Sequence, residues 1–394
     1  MDNTTKRLYF IDAMRAWAIL MMLQGHFVDG LLGMEYRDNT DVVFNIWRYF
    51  RGITAPVFFT VSGFIFTYLL IKVPQKGISN PRVKKGVKRG LQLIIIGYLL
   101  RMNLFGLFVG EIYEGFYLVD VLHCIGLSIL GIIGLYLLTQ KSKKYIFPAA
   151  LFGITIVLFL FEPLYSKWSF SFLPDALANF FSKANGSVFT IFPWFGYATF
   201  GAFLSILFYR FKTFKYLYPA AIFLSLAIGS GLIFFSSDVF LAISRFTGLQ
   251  LFADIFFNNY LFIRLGDVFL VFAVFMLLKQ FMNNKTILKI GASTLSIYIV
   301  HFIILYGSFT GLGLYGFLHH TLAPAIVIPG AIVFMTGCTY LALQYENHKA
   351  SIKLKLRDVL QNIWAVIEPW LIFGLKLVRD TTLKLLRLFG LVKN

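Results

Sequence analysis

Two ionisable side chains in the first apolar stretch are spaced for chemistry at two points of one long ligand. Arg15 and His26 are eleven residues apart. In a helix this spacing is three turns plus about 20°, so both side chains face the same way, about 16 Å apart along the axis. Arginine binds phosphate oxygens through paired hydrogen bonds, and histidine acts as general base or nucleophile near neutral pH. The pair therefore predicts an anion contact at Arg15 and a reactive group at His26.

Two acids in the same stretch have supporting roles in this interpretation. Asp29 lies three residues beyond His26 and is predicted to orient the His26 ring. Asp12 lies three residues before Arg15 and is predicted to belong to the same binding site as Arg15. The alternative is structural, with Asp12 and Arg15 paired at i, i+3 and His26 bonded to a neighbouring carbonyl. Ionisable groups are costly in hydrocarbon, so each needs a partner, a water-filled cavity or a function. We therefore prefer the functional interpretation.

Further polar side chains extend the predicted site. On the outer side they are Arg101, Asn103, Asp120, His123, Trp194 and His301, and on the Arg15 side they are Ser62, Lys85 and Arg89. Structural alternatives stay open. Asp120 and His123 can form an interfacial pair, and the Ser62-Gly63 pair suits close helix approach. The basic cluster that holds Lys85 and Arg89 is also explained by chain orientation or anionic lipid.

The elements that must hold these residues are membrane-spanning helices. Of 394 residues, 58% are hydrophobic and 14% are charged, whereas a soluble globular protein carries about 25% charged residues. This composition excludes an ordinary soluble enzyme, a disordered chain and a nucleic-acid-binding module, so no nucleic acid partner is expected. The apolar runs predict an all-α, polytopic membrane helix bundle of about ten transmembrane helices. The predicted spans are 9–31, 52–71, 89–109, 118–138, 145–161, 188–208, 216–236, 260–281, 290–311 and 322–343.

The formal net charge of +18 is distributed in alternation along the links between spans. The links after the second, fourth, sixth and eighth spans are rich in Lys and Arg, and the intervening links are mixed or acidic. Because cationic residues collect in cytoplasmic links, this alternation predicts that both termini are cytoplasmic in a multi-pass protein of the cell (inner) membrane. Asp12 and Arg15 interrupt the first apolar run, which favours a retained span over a signal peptide.

The composition changes near residue 346. We predict a transmembrane domain over 1–345 and a cytoplasmic, membrane-surface amphipathic helical tail over 346–394, with Pro369 dividing two helix-like stretches. Residues 359–378 could be an eleventh span, but several polar residues would then sit in lipid. A basic amphipathic tail that binds membrane lipids fits better.

The two cysteines and the spacing of the other candidate ligands predict no metal site. Cys124 and Cys338 lie in apolar runs without metal-ligand spacing, so they are predicted to be packing residues rather than a disulfide or thiolate site.

Five motifs resemble a known superfamily. In chain order they are Ile11-Asp12-x-x-Arg15 followed by His26, Phe58-Phe59-Thr60-Val61-Ser62-Gly63-Phe64, Asp120-Val-Leu-His-Cys-Ile-Gly126-Leu, Phe192-Pro193-Trp194-Phe195-Gly196 and Gly291-Ala-Ser-Thr-Leu-Ser-Ile-Tyr298-Ile-Val-His301. The first two resemble integral-membrane acyltransferases that move acyl groups from coenzyme A to sugars. The last three resemble the bacterial relatives of heparan-α-glucosaminide N-acetyltransferase. The resemblance covers roughly residues 7–310, and the Arg15–His26 spacing is similar to that of bacterial polysaccharide O-acyltransferases.

This resemblance implies an acyl-CoA-dependent membrane acyltransferase. It would move an acyl group, most simply acetyl, from cytosolic acetyl-CoA to a hydroxyl or amine of a glycan acceptor at the outer face. Arg15 would anchor coenzyme A at a donor site that also holds Asp12, Ser62, Lys85 and Arg89, and His26 would activate the acceptor or carry the acyl group. The residues of the acceptor site would be Arg101, Asn103, Asp120, His123, Trp194 and His301. A homo-oligomer is compatible with this reading. The alternative function is a transporter or flippase whose buried Arg and His serve a proton or anion pathway.

Overall fold

The computed structural model describes residues 8–388, and every regular element in that range is helical. The all-α prediction is therefore confirmed. The start of the resemblance at residue 7 and the end of the predicted tail, 389–394, lie outside the described residues. The α-helices are α1 (Tyr9–Leu31), α2 (Val42–Ile71), α3 (Pro81–Arg101), α4 (Leu104–Val109), α5 (Val121–Leu138), α6 (Ile146–Leu160), α7 (Glu162–Tyr165), α8 (Asp175–Ala178), α9 (Ile191–Arg210), α10 (Leu217–Thr247), α11 (Gln250–Phe257), α12 (Tyr260–Leu277), α13 (Lys285–Ala292), α14 (Thr294–Tyr306), α15 (Leu314–Leu318) and α16 (Pro324–Leu388).

Between residues 8 and 388, six helices are long and apolar enough to cross a membrane. They are Val42–Ile71, Gly115–Leu138, Ile191–Arg210, Leu217–Thr247, Tyr260–Leu277 and Pro324–Lys384. A seventh span results if α13 and α14, which meet at a bend of 68°, count as one broken span. Helices α1, α3 and α6 occupy the remaining predicted spans. Each predicted span thus contains a helix, and the number of ten crossings stays a prediction.

The third predicted span differs from the observed helix. Helix α3 begins at Pro81, eight residues before the predicted start, because the Asn80 side chain accepts a hydrogen bond from the backbone N–H of Arg82 at 2.8 Å. It ends at Arg101, and Asn103 then caps the short helix α4 by accepting from Phe105 N at 3.0 Å. Arg101 and Asn103 therefore lie at a helix break, where the sequence predicts a continuous span to residue 109.

Glycines set the closest helix contacts. A Cβ on Gly63 of α2 would collide with the carbonyl of Ala198 on α9, and one on Gly201 would collide with the carbonyl of Thr60. A Cβ on Gly291 of α13 would likewise meet the carbonyl of Asp12 on α1. The predicted close approach at Ser62-Gly63 is confirmed, and α1 is held against α13 in the same way.

The links that follow α1, α3, α6, α10 and α14 gather at one end of the bundle. We call this the histidine end, because α1 reaches it shortly after His26; it comprises residues 32–41, 102–120, 161–190, 248–259 and 307–323. The contacts that join these links are Gly33 N to Leu322 O at 2.9 Å, Leu104 N to Phe309 O at 2.9 Å, Asn179 Nδ2 to Tyr117 O at 3.0 Å and the Lys167–Asp254 ion pair at 3.8 Å. These five links therefore form one connected surface.

The lysine-rich links 72–80, 139–145, 211–216 and 278–284 follow the even members of the predicted series of spans, and we call them the basic end. The N–H of Gly77 donates to the Tyr136 hydroxyl at 3.3 Å, and the Lys279 ammonium lies 3.5 Å from the Tyr218 ring centroid. Both contacts join such a link to a neighbouring helix.

The chain divides into two compact units, Met1–Leu341 and Ala342–Asn394. In the second unit the described residues 342–388 are helical and mostly exposed. The helix continues through Pro369, where the sequence predicts two separate stretches. A proline removes one helical hydrogen bond and can be accommodated without ending the helix. The predicted surface role of the tail stays a prediction.

Candidate active site

A pair of histidines lies at the centre of the candidate site. His26 of α1 and His301 of α14 are hydrogen-bonded, with 3.0 Å between His26 Nδ1 and His301 Nε2 and 5.2 Å between ring centroids. His301 is fully buried and His26 is half-buried. Because His26 Nδ1 is engaged with His301, its Nε2 is the ring nitrogen left to meet a reacting group. The structure thus joins the predicted catalytic histidine to a predicted acceptor-site residue.

Aromatic and charged groups surround this pair. The Tyr298 ring centroid is 4.8 Å from that of His301, and the Tyr306 centroid is 6.2 Å from that of His26. Asp120, a predicted acceptor-site acid far away in sequence, lies close enough to His26 and Tyr298 to act on both electrostatically.

Asp29 has other partners. Its carboxylate forms an ion pair with Arg51 of α2. Its backbone carbonyl accepts a hydrogen bond from Arg37 at 2.5 Å and lies 3.2 Å from His320 Nε2. The hydrogen bond that the structure gives His26 is to His301, and the orienting role predicted for Asp29 stays a prediction.

Three predicted donor-site residues line one groove. Arg15 of α1, Ser62 of α2 and Arg89 of α3 border a cavity of about 260 Å³ whose other walls are mostly apolar side chains of α2, α3, α5 and α14. An Arg15 N–H donates to Thr294 Oγ1 at 3.0 Å, which joins α1 to the first residue of α14. The groove combines two cations with an apolar channel, as a ligand with an anionic head and a slender arm requires.

The groove leads towards the histidine pair. Thr294 and Tyr298 both line it, one helical turn apart on α14, and the ring of Tyr298 contacts His301. From the Arg15–Thr294 contact to the His26–His301 contact, the residue numbers increase in both helices, so α1 and α14 run parallel. The predicted axial distance between Arg15 and His26 is therefore the distance from the cationic part of the groove to the His26 ring.

Two other predicted donor-site residues lie outside the groove lining. Asp12 is buried, with 9% of its surface exposed, where α1 meets α13. Lys85 is exposed on α3, one turn before Arg89. Asp12 lies three residues before Arg15 on α1, and Lys85 lies four residues before Arg89 on α3, but neither side chain lines the groove.

Arg101, Asp120 and His123 form a connected cluster at the histidine end. An Arg101 N–H donates to the Asp120 carboxylate at 3.3 Å, and both side chains are mostly buried. His123 Nδ1 accepts from the backbone N–H of Asp120 at 3.1 Å, so the two residues cap the start of α5 reciprocally. The fully buried His123 ring lies flush against Gly97, where a Cβ would collide with it. His123 therefore stabilises the fold by capping α5 and by packing against Gly97 of α3.

Trp194 and Asn103 occupy separate places. The Trp194 ring packs against Phe59 and Phe189, with centroids 5.2 and 4.9 Å away, and lines a hollow of about 330 Å³ together with Glu162. Asn103 caps α4 in the link after α3. Neither residue lines the groove.

Sequence reasoning missed several members of the site. Thr294 lies seven residues before the predicted residue His301 and shares one side of α14 with it, but this spacing alone does not pair either residue with Arg15 or His26. Nothing in the sequence marks Arg51 as a site residue, because it precedes the predicted start of the second span. Tyr306 and Tyr315 gave none either, since aromatic residues are frequent throughout this chain.

Other candidate chemistry is limited. Between residues 8 and 388 no cluster of three or more His, Cys, Asp or Glu side chains is arranged to hold a metal ion. Cys124 and Cys338 are buried free thiols.

Comparison with known proteins identifies the family. No curated protein matches the chain. The family model described as heparan-alpha-glucosaminide N-acetyltransferase, catalytic, matches residues 7–235, a range that includes Arg15, His26 and Asp120 but ends before His301. This range is 229 of the 394 residues, so the chain belongs to the heparan-alpha-glucosaminide N-acetyltransferase family of membrane transferases.

Proposed function

We propose that the protein transfers an acetyl group from cytosolic acetyl-CoA to an amine or hydroxyl of a glycan at the outer face of the cell membrane. The observation that carries this proposal is a groove bordered by Arg15, Arg89 and Tyr298, whose Tyr298 ring contacts the hydrogen-bonded pair His26–His301. Family membership supports transferase chemistry, and the groove supports a donor that is anionic at one end.

The donor side rests on charge and shape. Arg15 and Arg89 offer guanidinium groups to phosphate oxygens, and arginine binds phosphate through geometrically matched pairs of hydrogen bonds. The apolar walls between these cations and Tyr298 suit the slender pantetheine arm. Asp12 and Lys85 act only indirectly in this arrangement, Asp12 by holding α1 against α13 and Lys85 by adding positive charge near the groove mouth.

The reaction needs one base at the thioester. His26 Nε2 accepts the proton of the acceptor amine or hydroxyl while the acceptor nitrogen or oxygen attacks the thioester carbonyl carbon. The new C–N or C–O bond forms, the C–S bond breaks, and the departing sulfur takes the proton from the His26 imidazolium, which gives free coenzyme A thiol and restores the neutral base. His301 holds the His26 ring through Nδ1, and Asp120 stabilises the positive charge that develops on the pair.

The topology follows from charge. The basic end faces the cytoplasm, where the positive-inside rule places it, and the histidine end faces outside. The donor would then enter near Arg15 and Arg89, and the acceptor would meet His26 from the opposite side. Both termini are cytoplasmic in this arrangement.

The experiment measures release of free coenzyme A by purified protein supplied with acetyl-CoA and glucosamine. We expect release that depends on both substrates and falls by at least 100-fold in His26→Ala, with no change in the matched variant His348→Ala, whose histidine is exposed in the second unit. A transporter or flippase would release no coenzyme A. Equal turnover by His26→Ala and wild type would refute the assignment of His26.

A second measurement distinguishes base catalysis in a ternary complex from a covalent acetyl-histidine intermediate. Labelled acetyl-CoA is supplied without acceptor. Base catalysis in a ternary complex predicts no coenzyme A release and no labelled peptide, whereas stoichiometric release with a labelled histidine peptide would show that the His26 ring itself carries the acetyl group.

A further inference from the structure

A row of aromatic rings connects His26 with the surface of the histidine end. Ring centroids are 6.2 Å apart for His26 and Tyr306, 5.6 Å for Tyr306 and Tyr315, and 4.4 Å for Tyr315 and His319. Tyr306 is half-buried, Tyr315 is 36% exposed, and His319 is exposed. The two outer rings are therefore exposed, whereas His26 and Tyr306 are half-buried.

Helix α15 holds this row against α1. Tyr315 lies over Gly30, four residues beyond His26, and a Cβ on Gly30 would lie 3.0 Å from Tyr315 Cδ2. Gly30 therefore leaves the room that the Tyr315 ring uses. The backbone N–H of His320 also donates to the Gly30 carbonyl at 3.1 Å, which fixes the link after α15 to the end of α1.

Polar groups accompany the rings. The partly exposed ion pair of Arg51 and Asp29 lies at the same end of α1, and Asp29 directly precedes Gly30, over which the Tyr315 ring lies. The row thus combines flat aromatic faces with a charged donor and a charged acceptor of hydrogen bonds.

This combination matches one class of ligand. A pyranose ring has an apolar face of C–H groups and a rim of hydroxyl or amine groups, so it binds where an aromatic face is bordered by charged hydrogen-bonding partners. A purely apolar ligand would leave Arg51 and Asp29 without a role, and an extended peptide would need unpaired backbone partners.

We propose that Tyr306 and Tyr315 form the binding path for the acceptor's pyranose ring, with Arg51 and Asp29 bonding its rim, and that this path sets acceptor specificity. The inference rests on the proposed acetyltransferase function, since it places the acceptor of that reaction. Tyr315 binds the pyranose ring at the surface, and Tyr306 positions the amine or hydroxyl of that sugar at His26.

The test uses the full chain and β-1,4-linked glucosamine oligomers of one to four units. We expect Tyr315→Ala to raise the KM for the oligomer about 5- to 20-fold while the KM for acetyl-CoA stays unchanged, because an aromatic platform is lost on the acceptor side alone. Tyr315→Trp, which keeps a platform, should restore most of the affinity. Phe317→Ala is the matched control, since Phe317 is an exposed aromatic residue on the same helix α15, and it should match wild type.

Calorimetric binding of the glucosamine tetramer keeps the test independent of turnover. Weaker binding by Tyr315→Ala, with wild-type binding by Phe317→Ala, would support the path even if no acetyl transfer were detected. Equal tetramer affinity in wild type and Tyr315→Ala, or an equal loss in both alanine variants, would overturn it. Loss of turnover in His26→Ala with unaltered tetramer binding would support the proposed function separately.

Discussion

His26 Nδ1 and His301 Nε2 lie 3.0 Å apart although 275 residues separate them in the chain. The reactive centre is therefore built by two parallel helices from opposite ends of the sequence. One ring is fully buried, and the other is half-buried and keeps its Nε2 available. In the proposed mechanism, this asymmetry gives orientation to His301 and proton transfer to His26.

The positioning role of His301 predicts a specific kinetic pattern. His301→Ala should lower kcat at least tenfold with little change in the KM for acetyl-CoA, because the His26 ring loses its hydrogen-bond partner while the groove remains. His301→Gln, whose amide can bond His26 Nδ1, should recover part of kcat. Steady-state kinetics at fixed pH measure both, and a KM effect without a kcat effect would assign His301 to substrate binding.

The groove predicts which cations hold the donor. Arg15→Ala and Arg89→Ala should each weaken acetyl-CoA binding about 10- to 100-fold, because a hydrogen bond to a charged group contributes about 1.5–3 kcal/mol. Lys85→Ala is the comparison variant, as Lys85 is exposed on the same helix one turn before Arg89.

Calorimetry at two salt concentrations measures these affinities. If the donor site is limited to the groove, Lys85→Ala binds as wild type does. A loss as large as that of Arg89→Ala would instead extend the site along the whole basic cluster.

The sequence predicted the fold more completely than the site. Apolar periodicity located helices at every predicted span, since burial in lipid leaves a long and unmistakable pattern. The ends were less accurate: capping by Asn80 and Asp41 starts α3 and α2 within segments too polar to resemble a span. For the site, the single-helix geometry of Arg15 and His26 was predictable from 3.6-residue periodicity. The pairing with His301 was not, because contacts between distant helices leave no local pattern.

The glycine contact between α2 and α9 predicts a large difference between two identical substitutions. Gly63→Ala should lower the melting temperature markedly, because its Cβ would collide with the backbone carbonyl of Ala198, which cannot move as a flexible side chain can. Gly134→Ala in α5 adds the same methyl group where no atom lies within 4 Å. It should be neutral or slightly stabilising. Thermal unfolding in detergent compares the two, and equal melting temperatures would contradict the packing argument.

The proposed topology predicts which surface positions react from each side of the membrane. Cys124 and Cys338 are first replaced by alanine, and single cysteines are placed at Ser171, Ser142 and Ser351, all exposed. An impermeant thiol reagent added to intact cells should label position 171, at the histidine end. Positions 142 and 351 should react only after the cells are opened. Labelling of position 351 from outside would mean an odd number of crossings before the tail.

The Arg101–Asp120 pair predicts a coupled effect on stability. Each partner leaves a mostly buried charge alone when the other is removed, so Arg101→Met or Asp120→Leu should cost about 3–5 kcal/mol. The double variant removes both charges and should be more stable than either single one. Denaturant unfolding measures the cycle. Additive losses would show that the pair contributes no interaction to the fold.

The parallel arrangement of α1 and α14 has a consequence for biogenesis. A chain made from its N-terminus inserts Arg15 and His26 first, and the ring that completes the pair arrives only after every helix up to α14 has been synthesised. A chain interrupted near residue 235, where the family match ends, would carry His26 without its partner. The His26–His301 pair therefore forms only in a chain whose synthesis has almost completed the bundle.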